Sequence, residues 1–323
     1  MEPKDYEDSE VLITGGAGFI GSNLARRLVS LGAKVTILDG MLPGYGGNMK
    51  NLEGMEGDIE FIKADIRDMR RVEEAVKEKD YVFSLAAQVN YVDALKMALY
   101  DIDVNLKGHI NILEACRKHA ESAAILFTSS RMVYGITNGL TNEDAPKKPI
   151  TLYGIEKLVG EMYYMIYARA YGMKTTIVRI ANPYGPRQQI KHWKYGIVGW
   201  FMRLAMEDKT IEVFGDGKQL RDYVYVDDVV EGMVVACGNQ GPFNIGSGKG
   251  TAFIDMAKSV VKVVGKGRIK HAEWPEDYGR DKTGDYIADI GRLKELGWRP
   301  ETCFEEGLRK MYEYYRENFW FYI

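Results

Sequence analysis

The amino-acid sequence predicts an α/β fold, a doubly wound parallel sheet with a smaller C-terminal substrate-binding domain. Three observations carry this reading. A short apolar run, Val11–Thr14, leads into a glycine-rich turn and then a helical pattern. Apolar runs and helical segments then alternate as far as Ile180, which is the signature of a parallel sheet covered on both faces. After Asn182 the texture changes, with prolines at 183 and 186 and dense aromatic and basic residues.

The elements follow in order. Gly15 to Gly21 form the turn, and Ser22–Ser30 has helical spacing with Leu24 and Leu28 four apart. Val35–Leu38 is a second strand closed by Asp39, completing a βαβ unit. Glu60–Ile62 reads as a strand, Asp68–Lys77 as a helix and Tyr81–Leu85 as a buried strand. Asp103–His119 places Leu106, Ile110, Leu113 and Cys116 on one helical stripe. Ala124–Thr128 is a strand, Tyr153–Tyr171 a helix and Lys174–Ile180 a strand. We expect residues 1–182 to form one domain and 183–323 another. Segments near 224–246, Val224–Gly238 and Pro242–Ile245, are expected to return to the first.

Composition excludes several classes. The 323 residues are 46% hydrophobic and 28% charged, which is enough apolar material for a large core and too much for disorder. A net charge of −3 gives no general attraction to nucleic acid or to an anionic membrane. Cys116, Cys237 and Cys303 form no C-x-x-C pair, and the four histidines show no ligand spacing, so no metal site is read. The first ten residues lack the basic start and apolar core of a signal peptide, and a cytoplasmic location is expected.

The turn Thr14-Gly15-Gly16-Ala17-Gly18-Phe19-Ile20-Gly21 satisfies both G-x-x-G-x-x-G and G-x-G-x-x-G. Glycines allow a tight turn and close approach of backbone N–H groups to a pyrophosphate, and the helix beginning near Phe19 aims its positive end there. This is the Rossmann-type arrangement, because a strand precedes the turn, a helix follows it and an acid lies beyond. Asp39 is that acid; a carboxylate accepts hydrogen bonds from the adenosine ribose, and a 2′-phosphate would meet like charge. Gly40 offers no cation, so NAD is the expected cofactor rather than NADP.

Two further patterns carry chemistry. Tyr153 and Lys157 stand four apart on one helical face. A free tyrosine, with a pKa of about 10, is a poor base at neutral pH, and a neighbouring lysine together with a positive nicotinamide ring would lower it. Upstream, Ser130 closes the Ala124–Phe127 run, where a hydroxyl at the C-terminal end of a parallel strand faces the ligand crevice. The alternatives are a surface Tyr–Lys pair and a turn serine.

With these residues in place the chain resembles the extended short-chain dehydrogenase/reductase family, in its nucleotide-sugar epimerase/dehydratase branch. The resemblance rests on T-G-G-A-G-F-I-G at Thr14–Gly21, S-S-x-x-V-Y-G at Ser129–Gly135, Y-x-x-x-K at Tyr153–Lys157 and R-x-x-N-P-Y-G-P-R at Arg179–Arg187. It extends to F-G-D-G-K-Q-L-R-D-Y at Phe214–Tyr223 and L-G-W-R-P at Leu296–Pro300. The resemblance implies that Gly15, Gly18, Phe19, Ile20 and Gly21 hold the NAD pyrophosphate and Asp39 the ribose. Asp65 and Ile66 would flank the adenine, Leu85, Ala86 and Ala87 would line the cofactor path, and Asn105 would brace the catalytic helix within the cofactor region. Ser130, Tyr153 and Lys157 would be catalytic, and Asn182, Arg221 and Arg280 would meet the substrate diphosphate, consistent with arginine's paired bonds to phosphate. A homodimer through paired helices is implied as well.

The reaction common to that branch starts with oxidation of a sugar hydroxyl, commonly at C4, to a 4-keto sugar. Dehydratases resembling this chain carry an acidic pair just after the Ser/Thr, and decarboxylases keep a glutamate there. Here Arg131 and Met132 occupy those places, and neither does carboxylate acid/base work. Epimerisation at C4 of a UDP-hexose or UDP-hexuronate is therefore expected. Other oxidoreductase chemistry on a nucleotide sugar and an inactive binding protein stand as alternatives. Arg131 could pair with a C6 carboxylate, Arg187 is the rival for that role, and a purely structural ion pair is the third option.

Overall fold

Fully apolar and β-branched runs build the centre of the molecule. The computed structural model describes residues 6–42, 44–89, 95–274 and 284–323. Seven parallel strands lie side by side in the order Gly241–Ile245, Lys174–Ile180, Ala124–Ser130, Tyr81–Ser84, Glu10–Thr14, Lys34–Asp39 and Ile59–Lys63. Residues 11–14 and 35–39 are buried without alternation, because helices cover both faces of the sheet. Strand order reverses between Glu10–Thr14 and Tyr81–Ser84, so the loops leaving those two strands part and open a crevice at their C-terminal ends. The sequence expectation of an α/β fold with a doubly wound parallel sheet holds.

The strand Gly241–Ile245 pairs in parallel with Lys174–Ile180, with Phe243 beside Val178, although more than 60 residues separate them in the chain. The intervening chain, the helix Phe253–Val264 and the helix Phe304–Asn318 form a second apolar cluster. Phe201, Met202, Val213, Met256, Leu308 and Met311 meet there, from the helices Ile197–Met206, Phe253–Val264 and Phe304–Asn318 and the strand Thr210–Phe214. Among the described residues, no helix is long and apolar enough to cross a membrane.

One helix departs from its sequence reading. Asp103–His119 was expected to be uniformly α-helical. The helix instead begins at Ala98, and Asp103–Lys107 forms a π turn before the α geometry resumes at Gly108. The wider turn accompanies a side chain satisfied from within. Asn105 is 1% exposed, accepts from the Gln88 N–H at 2.9 Å, and donates to the Gln88 carbonyl at 3.0 Å and to Glu156 at 2.8 Å.

The helix Leu152–Tyr171 is set by local signals and by one buried ion pair. Thr151 caps its start by accepting from the Gly154 N–H at 3.1 Å, and Gly172 ends it in the left-handed region. Inside, Glu161 takes two hydrogen bonds from Arg179, at 2.8 and 2.6 Å, and one from the Ser129 hydroxyl at 2.5 Å. Arg179 also donates to the Tyr134 hydroxyl and to the Glu143 carbonyl. Both members of the pair are almost wholly enclosed, so removing one strands a charge in the interior. Glu161→Leu is expected to destabilise the protein by about 3–5 kcal/mol in urea unfolding, with much of the loss recovered in Glu161→Leu/Arg179→Met. Equal losses in the single and double variants would show that the pair is not the cause.

Candidate active site

The crevice at the strand reversal widens into a cavity of about 1190 Å³ that runs across the C-terminal edge of the sheet. At one end lies the glycine turn. Gly15 has φ +73, and a Cβ there would stand 2.8 Å from the Ala86 nitrogen. At Gly21 a Cβ would stand 2.3 Å from the Gly15 carbonyl oxygen. The turn therefore packs backbone on backbone, and a side chain at either position would force open the tight cradle that a pyrophosphate needs. The helix Phe19–Ser30 starts at this turn with no side-chain cap, leaving its first N–H groups for an anion.

Asp39 closes the next strand, enclosed at 9% exposure. Its carboxylate accepts from the Ala17 N–H at 3.0 Å and the Met41 N–H at 2.8 Å. Burial raises its pKa, and these two N–H groups oppose the rise. Two carboxylate oxygens offer about four acceptor positions, so room is left for ribose hydroxyls. The cradle and this acid fit a dinucleotide. Asp65 and Ile66 line the same end. Burial alone would raise the Asp65 carboxyl, but Arg67, in ion-pair contact at 2.7 Å, outweighs it and holds the pKa low. Leu85, Ala86 and Ala87 form the wall between this end and the centre.

At the centre stand Ser130, Tyr153 and Lys157. Ser130 ends its strand and accepts from the Met132 N–H at 3.2 Å. Lys157 is 2% exposed, donates to the Thr128 carbonyl at 2.8 Å and lies 5.7 Å from the centre of the Tyr153 ring. Burial lowers its pKa to about 8, against the pull of Glu156 and Glu161. Burial raises the Tyr153 phenol, a hydrogen bond with Ser130 opposes it, and Glu156 adds to the rise. This corrects one expectation. In the protein alone the phenol is not lowered by Lys157, whose ammonium is turned to a backbone carbonyl. A bound nicotinamide cation is the remaining source of depression.

The other end holds Arg131, Asn182 and Arg221. Arg131 donates to the Asn182 side chain at 3.1 Å and lies 5.6 Å over the Tyr286 ring. Asn182 in turn donates to the Asp222 carbonyl at 2.8 Å. Arg221 donates to the Leu220 and Gly284 carbonyls.

Two expected site residues do not line the cleft. Asn105 is bonded to Gln88 and to Glu156, and so braces the helix Leu152–Tyr171 as the resemblance implies, while Gln88 lines the wall. Arg187 is the second. Its guanidinium donates to Asn23 at 2.8 Å and lies 5.3 Å over the Tyr314 ring. Arg280 lies outside the described residues. Sequence reading also missed wall residues that carry no motif. Tyr45 and Tyr100 stack at 6.1 Å beside Arg67, and Trp193, Trp200, Phe214 and Trp274 line the far end. The aromatic density after Asn182 was the available signal for the second group.

A glycine cradle, a strand-end acid and a Ser–Tyr–Lys cluster on a doubly wound sheet together define a dinucleotide-dependent enzyme class. Comparison makes the class specific. Residues 11–246 match the model of the NAD dependent epimerase/dehydratase family, and the chain belongs to that family. It is 34% identical over 316 residues to a UDP-glucose 4-epimerase of Mycolicibacterium smegmatis, covering 95% of this chain and 98% of the relative. It is equally 34% identical over 319 residues to a UDP-N-acetyl-alpha-D-glucosaminuronate decarboxylase of Bacillus cytotoxicus, covering 95% and 97%. The crystal structure of UDP-glucose 4-epimerase from Thermotoga maritima with UDP-glucose superposes with a TM-score of 0.86 at 34% identity, covering 96% of this chain and 99% of that one.

The buried lysine has a measurable consequence. A lysine whose pKa falls to about 8 on folding binds fewer protons in the folded state than in the unfolded one above that pH. Stability of the cofactor-free protein is therefore expected to rise with pH between about 8 and 10, relative to Lys157→Met, by at most about 1.4 kcal/mol per pH unit. Parallel pH profiles of unfolding free energy for the two proteins would contradict the burial of a titrating ammonium.

Proposed function

We propose that this protein is an NAD-dependent epimerase of a nucleotide-activated sugar, acting at C4 of a UDP-hexose or UDP-hexuronate. NAD, when bound, supplies the acceptor and donor of the hydride. The chain supplies the rest. Tyr153 exchanges the proton of the sugar hydroxyl, Ser130 holds the same oxygen, and Lys157 keeps a positive charge beside them. Asn182 and Arg221 hold the diphosphate. Residues 1–182 carry the cofactor, with 224–246 returning to them, and the remainder carries the nucleotide sugar.

The observation that carries this reading is the identity of the residues after Ser130. Relatives at the same identity include both an epimerase and a decarboxylase, so similarity alone does not choose. Elimination and carbon dioxide loss are served by a carboxylate beside the sugar's outer carbons. This chain has Arg131 and Met132 there, and the guanidinium borders the cleft. Arg131 lines the cleft and Arg187 does not, which favours Arg131 as the cation that meets a C6 carboxylate.

The protein acts in the cytoplasm as a homodimer. An apolar face supports the dimer: Leu99 and Ile102 on one helix, and Ile155, Met162, Met165 and Ile166 on another, are all exposed.

Two outcomes test the proposal. Purified protein given UDP-glucose or UDP-glucuronate should yield a product of unchanged mass with no net NADH, read by NMR and mass spectrometry. Loss of water or carbon dioxide would replace the epimerase with a dehydratase or a decarboxylase. Tyr153→Phe should lower turnover by about 10² or more while retaining NAD. In the same assay, Arg131→Ala should erase any preference for the uronate, a change of about tenfold or more in relative kcat/KM. An unchanged ratio would leave Arg131 with a structural role.

A further inference from the structure

Behind the glycine turn the chain forms a continuous hydrogen-bonded path that the chemistry above does not use. Asn51 is wholly buried. Its amide donates to the Ala17 carbonyl at 2.8 Å, and its side-chain oxygen accepts from the Tyr322 hydroxyl at 2.6 Å. Ala17 in turn donates its N–H to Asp39 at 3.0 Å. The Tyr322 phenol is thus joined, through Asn51 and the two peptides that flank Ala17, to the acid at the ribose end of the cleft. The neighbouring contacts run the same way. Asn48 donates its backbone N–H to the Ala17 carbonyl at 3.1 Å and its amide to the Phe321 carbonyl at 2.9 Å. Lys50 lies 4.2 Å over the Phe321 ring.

A second tie ends on the same turn. Arg187 donates to Asn23, and Asn23 donates to the Phe19 carbonyl at 2.8 Å and to the Pro186 carbonyl at 3.2 Å. Arg187 holds a left-handed backbone, φ +69, which a non-glycine residue adopts at a cost. The two ties meet at Tyr314, whose ring lies under Arg187 and whose hydroxyl contacts that of Tyr322.

We infer that Tyr322 and Asn51 are positioning residues for NAD, holding the Ala17 peptide, and with it Asp39, in the arrangement that receives the dinucleotide. The physical reason is that the turn's carbonyls must face away from an anion if its N–H groups are to face it. Ala17 has two donors aimed at its carbonyl and a carboxylate on its N–H, so the two peptide planes that flank it are each fixed. Without Tyr322, the Asn51 amide has one anchor fewer, and its plane, with the hydrogen bond to Ala17, is free to rotate. The inference rests on the cofactor alone and not on the identity of the sugar.

The test is calorimetric titration of cofactor-free protein with NAD. Tyr322→Phe removes one hydroxyl and keeps the ring; Asn51→Asp keeps the acceptor for Tyr322 and removes the donor to Ala17. Both are expected to raise the Kd for NAD by about five- to tenfold, the scale of one buried hydrogen bond. The double variant should be no weaker than Asn51→Asp alone, because both act through one path. At saturating NAD, kcat should stay within about twofold of wild type, since the reacting groups are untouched. Trp320→Ala, at an exposed position of the same segment, should leave the Kd unchanged. NAD Kd values within about twofold of wild type for Tyr322→Phe and Asn51→Asp would overturn the inference, and a lowered Tm alongside them would assign the contact to stability alone. An equal loss in Trp320→Ala would overturn it too, by showing that any disturbance of the segment suffices.

Discussion

The centre of the site depends on the buried Arg179–Glu161 pair. Arg179 lies on the strand Lys174–Ile180, Glu161 on the helix Leu152–Tyr171, and Ser129 at the end of the strand between Arg179 and the cleft. One carboxylate therefore binds the helix bearing Tyr153 and Lys157 to the strand bearing Ser130. In the low dielectric of the interior, the pair is tolerable only because nearly every polar atom around it is satisfied. Shifting the helix along the sheet would break several such bonds together. The Ser–Tyr–Lys geometry is thus fixed by groups that never reach the cleft.

Much of this was legible in the sequence, because its signals are local. The strands wrote themselves as unbroken apolar runs, and the helix read as Tyr153–Tyr171 starts one residue earlier, at Leu152. Gly15 and Gly21 could be read because a steric demand admits one residue type. What was not legible was what depends on distant partners. Nothing near Arg187 in sequence signals that Asn23 and Tyr314 capture its guanidinium. The spacing of Tyr153 and Lys157 placed them together but could not show that the ammonium faces the Thr128 carbonyl or that burial raises the phenol in the protein alone. The aromatic wall at the far end is assembled from residues 193 to 274, across several short elements, and no periodicity marks it.

Arg131 illustrates how one position can divert chemistry on a shared scaffold. A carboxylate next to the sugar's outer carbons can move protons there; a guanidinium cannot. It can bind charge, however, and its contacts with Asn182 and the Tyr286 face hold it at the rim of the cleft. On the proposed reading, discrimination and reaction outcome would be governed by the same side chain. A change there would be expected to alter both together, whereas changes in the aromatic wall would alter fit alone.

The π turn at Asp103–Lys107 carries a consequence for how such a chain can vary in length. A π turn holds one residue more than the α-helical register allows, and it lies upstream of the stripe that packs the helix Gly108–His119 against the sheet. Losing one residue from those five would restore a regular helix in nearly the same phase, whereas keeping all five in regular α geometry would turn everything on one side of them by about 100°. Either Ile112, Leu113 and Cys116 would leave the core or the Ala98–Ile102 segment would swing to a new face. The extra residue thus acts as a phase adjuster between two surfaces, one facing the sheet and one facing solvent. Its presence makes this turn the place where the helix can shorten by one residue while both surfaces keep their partners.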